Sequence, residues 1–459
     1  MRYNVIIVHA KKGRSIKMAS TFKGGFHVHD HKALTSGIAT KPLPDWDVHI
    51  YPLKQHIGAP LSALVKVGDH VDVGQKIADT DQFVAAPVHS SVSGTVTDIK
   101  PYYHDSGAMV DAIFVENDKK YTVSDEVQPK NYKAASAKEL LKCIREAGIV
   151  GMGGAGFPTH IKLSPKTKVD YAILNCAECE PYITADHRYM LENPDDMITG
   201  LKIVMKILDL KDGYIGVELN KKNAIAALKA SPECDGHIHI VPLKVKYPQG
   251  AEKQLIKAVT GRRVPAGALP ADAGAVVVNG ATSVTIAKAI TTGMPLIERN
   301  VTVSGDAVKT PSNFRVRTGV PASFVIENAG GFISTPEKVI SGGPMMGMAQ
   351  YNTEYPIVKT TSSILALLHA PKTFDPDTPC IRCGRCVNHC PMQLMPFKLR
   401  DAAQKGDVDM AAKHYASECI ECGLCSYICP ANKNLLQYIR MIKPEVLKKQ
   451  REEAQKNGR

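Results

Sequence analysis

The chain has 459 residues with 57 Lys and Arg against 45 Asp and Glu, a formal net charge of +12, and at the usual 100–200 residues per domain it has room for about three. Its 44% apolar content lets each own a core, and no apolar run nears the roughly 18 residues of a membrane span, so a soluble, cytoplasmic chain is expected. The basic residues are scattered and tryptophan occurs once, so nucleic acid, which rewards clustered positive charge, is not an expected partner.

The first expected unit is an N-terminal segment, 1–30, opening with a short strand-like run at 5–8. His27, His29 and His31 fall close together at its end, but no cysteine or other spaced ligand accompanies them, so a polar loop is expected rather than a metal site. Within an expected unit at 31–125, residues 58–100 alternate β-branched runs with glycine turns, as in Val71-Asp72-Val73-Gly74 and Ser93-Gly94-Thr95-Val96, which argues for a small β-sandwich or barrel. The segment resembles biotinyl and lipoyl carrier domains. Its hairpin tip reads Asp79-Thr80-Asp81-Gln82, without the carrier lysine, so a structural role is expected.

Residues 137–150 carry Leu140, Leu141, Ile144 and Ala147 at helical spacing. A glycine-rich loop follows, Gly151-Met152-Gly153-Gly154-Ala155-Gly156-Phe157-Pro158. Such a loop lets the backbone approach a ligand and leaves N–H groups free for phosphate, with Lys162 as an added point charge. The buried strand expected at 171–175 ends in Asn175-Cys176-Ala177-Glu178-Cys179-Glu180-Pro181, polar residues where open α/β sheets bind ligands. Cys176 and Cys179 lack a thioredoxin setting and are read as incidental.

Two cysteine runs dominate the C-terminal part: Cys380-x2-Cys383-x2-Cys386-x3-Cys390-Pro391 and Cys419-x2-Cys422-x2-Cys425-x3-Cys429-Pro430. An unbroken triple followed by Cys-Pro suits a [4Fe–4S] cluster, whereas zinc sites present separated Cys pairs. The fourth cysteine runs away from its own cube toward the neighbouring cluster. The ligand sets are therefore expected to be Cys380, Cys383, Cys386 and Cys429 for one cluster, and Cys419, Cys422, Cys425 and Cys390 for the other. Helical spacing between the runs, broken at Gly406, predicts an α-helical ferredoxin domain over 365–440. A long connection at about 350–378 would allow it to move. The tail, 441–459, is basic with interspersed glutamates, and reads as a solvated helix or a surface for an anionic membrane or acidic partner.

The glycine loop and the Asn-x-x-Glu-x-Glu-Pro strand end resemble the flavin- and NADH-binding subunit of respiratory complex I. With the barrel-like and double-ferredoxin segments added, the whole chain is similar to the family of C subunits of Rnf electron-transport complexes. The resemblance implies a multidomain α/β plus β fold: a barrel-sandwich hybrid, a complex-I-like flavin domain at 130–290, a soluble ligand-binding β-grasp domain at 291–350 acting as a spacer, and the ferredoxin domain with two [4Fe–4S] clusters. It implies that Gly151, Gly153, Gly154, Gly156, Phe157 and Lys162 line FMN and its phosphate, that Asn175 contacts the flavin, and that Glu178 and Glu180 lie near flavin and NAD(H). It matches Glu252 to a Gly-Glu-Glu element and Asn279 to an FMN-phosphate contact. Met152 and Ala251 depart from the family pattern, and favour a rival reading as an iron–sulfur relay or docking subunit without nucleotide binding.

The implied activity is that of an NAD-dependent flavin/iron–sulfur oxidoreductase subunit, peripheral on the cytoplasmic face of the cell membrane. Its partners would be the other subunits of an ion-translocating complex, including a ferredoxin-like iron–sulfur subunit. Hydride exchange at FMN demands no acid or base residue, so Glu178 and Glu180 are assigned positioning roles. Arg382 and Arg385 in the first cysteine loop, against Glu418 and Glu421 at the second, predict a higher reduction potential for the first cluster.

Overall fold

The computed structural model describes residues 19–369, 378–456 and 458. The strand expected at 5–8 lies outside these residues, as do 370–377 of the expected connection.

Residues 48–117 form the expected barrel-like unit from two small sheets, one with strand order Val48–Pro52, Met109–Asn117, Gly94–Tyr103, His70–Val71, the other built on Lys76–Asp79. Tyr51, Val71, Ile77, Val96 and Ile113 close its core. The hairpin tip is fastened, because Arg145 donates to both carboxylate oxygens of Asp79 at 2.6 and 2.9 Å. A tip clamped by a bidentate guanidinium has no freedom to swing.

The α/β unit begins with the helix Ala137–Glu146, which starts where Ser136 and Glu139 cap each other's backbone N–H groups. Its apolar face, Leu140 and Ile144, is fully buried, each side chain contributing about 1.5–3 kcal/mol. The parallel sheet behind it has the order Ile238–Leu243, Gly213–Glu218, Tyr171–Cys176, Ala275–Asn279. The first strand in sequence therefore sits between the second and the last. That reversal of order opens a crevice at the carboxyl ends of Tyr171–Cys176 and Ala275–Asn279.

A six-stranded sheet follows, ordered Thr40–Pro42, Ser312–Arg317, Glu298–Ser304, Ser363–Leu367, Lys338–Ser341, Met348–Gln350. The expected connection is corrected here. Residues 363–367 are wholly buried between two strands of this sheet, and Tyr355 and Ile357 are buried in its core. In sequence these side chains look like linker because no neighbouring run announces their partners, which lie far away along the chain.

The cysteine-rich module is helical, as expected: Arg385–Asn388, Pro396–Gln404, Val408–Lys413, Leu424–Tyr427 and Leu435–Lys456. Gly406, in the left-handed region at φ 64°, separates the second and third of these. Leu399, Ala402, Ala411, Ile439, Ile442 and Val446 form the core. The tail is thus not solvated throughout, since Ile442 and Val446 belong to the module and only the helix beyond them projects.

Candidate functional site

Asn175 and Asn279 are register partners at the ends of the two strands that flank the crevice. The glycine loop lies across it. A Cβ on Gly153 would come within 2.8 Å of the Asn279 amide nitrogen, and Gly154 faces open space. Met152 N–H donates to Thr282 Oγ1 at 2.9 Å while its side chain is buried. The departure at Met152 therefore points away from the crevice. Asn175 Nδ2 donates to Gly250 O at 2.7 Å and Lys162 Nζ to Glu252 Oε1 at 2.8 Å, so five separate stretches of sequence converge. Asn279 caps its own helix, accepting from Thr282 N–H at 3.2 Å, and donates to Asp186 Oδ2 at 2.6 Å. Phe157 O accepts from Gly151 N–H at 2.9 Å, which closes the glycine loop on itself.

The acidic pair is buried rather than solvated. Glu178 is 4% exposed at its side chain, accepts from Asp186 N–H at 2.6 Å and faces Lys32 Nζ at 3.8 Å. Glu180 accepts from Met345 N–H at 3.2 Å. Gly343 is glycine for this reason, since a Cβ there would stand 2.3 Å from Glu180 Oε2. Burial pushes the Glu180 carboxyl up to about 7, and burial with Glu178 beside it does the same to Asp186. Lys32 and Lys221 hold the loop from below, donating to Glu180 O at 2.9 Å and Ala177 O at 2.7 Å. Glu178 and Tyr182 take left-handed backbone conformations, φ 47° and 67°, a local cost of the kind that clusters at ligand sites. Glu180 Oε1 and both amide atoms of Gln249 are buried without hydrogen-bond partners, and Glu178 Oε2 has only the longer ion pair to Lys32. Orphaned polar atoms gathered at one crevice suit a polar ligand such as a flavin nucleotide.

The last two segments do more than space the domains. Arg299, from the six-stranded sheet, is buried and donates to Met152 O at 3.3 Å, so that sheet reaches both Glu180 and the glycine loop. Of the three histidines, His31 lies on Tyr182 with centroids 4.4 Å apart and parallel planes, and the His29 ring packs against His31 at 4.2 Å, tilted by 47°. Cys176 and Cys179 diverge, toward Met197 and Gly250 respectively.

The thiols fall into two groups. Cys386 is raised first by burial and then by Cys429, Cys380 and Cys383 beside it; Cys425 is raised by burial and then by Cys419, Cys422 and Cys390. The structure thus brings together the two crossed sets expected from the spacing. Cys390, Cys419, Cys422 and Cys425 face a pocket otherwise walled by apolar residues, among them Met392, Leu394, Ile420 and Ile439. Leu394 and Glu421 N–H groups donate to Cys390 and Cys419 sulfurs at 3.4 Å. Among the described residues no three His, Cys, Asp or Glu side chains gather tightly enough for a single ion. Four thiols facing one apolar-walled pocket fit the chemistry of an iron–sulfur cube.

This second group lies against the crevice. Tyr247 O–H donates to Cys422 O at 2.7 Å, Gln254 Nε2 to Pro391 O at 3.2 Å, and Lys253 pairs with Glu418 at 3.0 Å. Glu421 pairs with Arg440 and Lys443 at 3.0 and 2.7 Å. The expected negative flank of the second loop is therefore largely neutralised by partners from other segments.

Comparison with known proteins fits this geometry. Residues 144–288 match the Nuo51 FMN-binding domain, 20–120 the RnfC barrel sandwich hybrid domain, 300–349 the SLBB domain and 372–430 the 4Fe-4S dicluster domain. The C subunit of the proton-translocating ferredoxin:NAD(+) oxidoreductase complex of Clostridium ljungdahlii is 48% identical over 93% of this chain and 94% of its own length. The chain belongs to the family of C subunits of ion-translocating oxidoreductase complexes. The Na(+)-translocating counterpart from Acetobacterium woodii is 45% identical over 94% of this chain and 98% of that protein. A crystal structure of an air-oxidized NAD+-reducing [NiFe]-hydrogenase is 18% identical with a TM-score of 0.49, covering 68% of this chain and 63% of that one. The FMN-binding and 4Fe–4S domains of this C subunit were legible in sequence. Lys32, Asp186, Lys221, Tyr247 and Arg299 were not, because each acts through a fold contact that no local motif marks.

Proposed function

We propose that this chain is the peripheral NADH/FMN/iron–sulfur subunit of a membrane ion-translocating ferredoxin:NAD+ oxidoreductase, positioned on the cytoplasmic face by its partner subunits. Gly151, Gly153, Gly154, Gly156, Phe157, Lys162, Asn175 and Asn279 would hold FMN, with Glu178, Glu180 and Glu252 around the NAD(H) approach. The two crossed cysteine sets would each hold a [4Fe–4S] cluster. Bound FMN supplies the conversion between the hydride exchanged by nicotinamide and the single electron accepted by a cluster.

The observation that carries this reading is the placement of Cys422 against Tyr247, beside Glu180. It supports a reading in which electrons pass between the crevice and the second thiol set. The chain's own residues bind and orient: Arg299 and Thr282 fix the glycine loop, Lys32 and Lys221 fix the acidic loop, and apolar walls limit water around Cys390, Cys419, Cys422 and Cys425. Glu180, largely neutral below its raised pKa of about 7, is a hydrogen-bonding and positioning group. Among the described residues no helix is long and apolar enough to cross a membrane, which agrees with attachment through partners.

The test is flavin content on anaerobic purification, compared with Gly153→Ala. The added methyl must push into Asn279, so FMN retention should fall at least about tenfold while iron content stays unchanged. A wild-type chain that neither retains nor rebinds FMN would contradict the reading and favour the relay alternative.

A further inference from the structure

The two cysteine runs are structural repeats with opposite fates. Arg382 and Glu421 occupy equivalent positions at φ 53° and 55°, as do Gly384 and Gly423 at 73° and 75°, and Gln393 and Asn432 at 58° and 46°. Short helices, Arg385–Asn388 and Leu424–Tyr427, follow the equivalent glycines. In the second run this face is docked. Leu424 is 1% exposed, Cys422 is buried against Tyr247 and Val28, and a Cβ on Gly423 would meet Met345 O at 2.8 Å.

The same face of the first run is bare. Ile381, the counterpart of the packed Ile420, is 61% exposed. Cys383 is exposed, and a Cβ on Gly384 would meet nothing nearer than Asn388 at 4.0 Å. Arg382 and Arg385 are exposed and have no ion pair among the described residues, whereas their acidic counterpart Glu421 is doubly paired. A built docking surface, repeated and left open, with an apolar centre and two exposed guanidiniums that have no ion pair among the described residues, has the composition of a protein interface.

We infer that the face formed by Ile381, Arg382, Cys383 and Arg385 docks an acidic one-electron carrier protein. The inference rests on the function proposed above and adds where the protein partner of the first thiol set binds and what charge it carries. Acidity follows from the positive charge of the two exposed arginines, and small, transient, electrostatically steered contacts are the habit of electron-transfer pairs. One electron would cross per encounter: the reduced carrier would lose one electron to the cluster that Cys380, Cys383, Cys386 and Cys429 would hold, with no bond or proton exchanged.

The test measures binding of the holo-chain to a bacterial two-[4Fe–4S] ferredoxin by biolayer interferometry across salt concentrations. Arg382→Gln/Arg385→Gln should slow association about tenfold at low salt and flatten its salt dependence, with iron and FMN contents unchanged. Ile381→Glu, which keeps both arginines, reads the same face by repulsion if the double variant loads iron poorly. Lys448→Gln/Arg451→Gln on the projecting helix removes equal charge and should leave association within about twofold. Association unchanged in the loop variants, or lost only in the helix variant, overturns the inference. Because this readout does not use NADH, it is separate from failure of the proposed oxidoreductase function, which flavin analysis and NADH bleaching report.

Discussion

The Tyr247 hydroxyl donates to the Cys422 carbonyl across 2.7 Å, joining the end of the flavin-type domain to the peptide of a cluster loop. Both groups are buried, so Tyr247→Phe leaves a carbonyl without its partner, at a cost of about 1–3 kcal/mol. The cysteine-rich module should loosen: amide hydrogen exchange at 419–424 should speed up, while exchange in the barrel unit stays unchanged. Unaltered protection at 419–424 would show that the module is held by Lys253, Gln254 and packing alone.

The crossed ligand sets proposed above would give the fourth cysteine of each run to the other run's cluster. Cys429→Ser should therefore remove the EPR signal of the cluster held by Cys380, Cys383 and Cys386, and Cys390→Ser that of the other, each leaving about half the iron. Loss of the cluster within the mutated run would instead mean uncrossed sets.

The two loops differ electrostatically, and the ion pairs refine how. Arg382→Gln should lower the potential of the first cluster, because a nearby unpaired cation favours the reduced, more negative state. Glu421→Gln should change the second by less, since Arg440 and Lys443 already offset that carboxylate. Redox titrations followed by EPR check this; a larger shift at Glu421 would mean the pairs do not persist in solution.

Much of this was legible in the residues themselves. The cysteine spacing, the glycine loop and the polar strand end each encode a local geometry, and the parallel strand carrying Asn175 and the helix carrying Leu140 and Ile144 formed where their patterns placed them. What was not legible depends on contacts distant in sequence. Lys32 reads as one more surface lysine until residues 28–32 fold beneath the 178–183 loop, where Tyr182 N–H donates to Asp30 O at 2.7 Å. Residues 363–367 become a buried strand only because Glu298–Ser304 and Lys338–Ser341 flank them. The paired state of Glu418 likewise needs Lys253, from another domain.

Burial of Glu180 has a pH signature. Its carboxyl, near 4.5 when unfolded, is raised to about 7 in the fold, so the folded state binds the proton more tightly. The associated stability is complete below about pH 4.5 and is lost as pH rises through 7. The full shift corresponds to roughly 3 kcal/mol. Glu180→Gln, which cannot ionise, should therefore gain thermal stability relative to the parent as pH rises from 5 to about 8 in flavin-free protein. A constant difference across that range would place the carboxylate in a solvated setting.

Flavin and clusters should work as one unit within this chain. The direct measurement is an anaerobic NADH titration of the FMN- and iron-loaded protein, following flavin absorbance and cluster EPR together. Bleaching of the flavin accompanied by reduction of a cluster, with the cluster signal lost in Cys422→Ser but flavin bleaching retained, is the predicted result. Flavin bleaching with every cluster left oxidised, even when a strong chemical reductant reduces those clusters in the same sample, would contradict it.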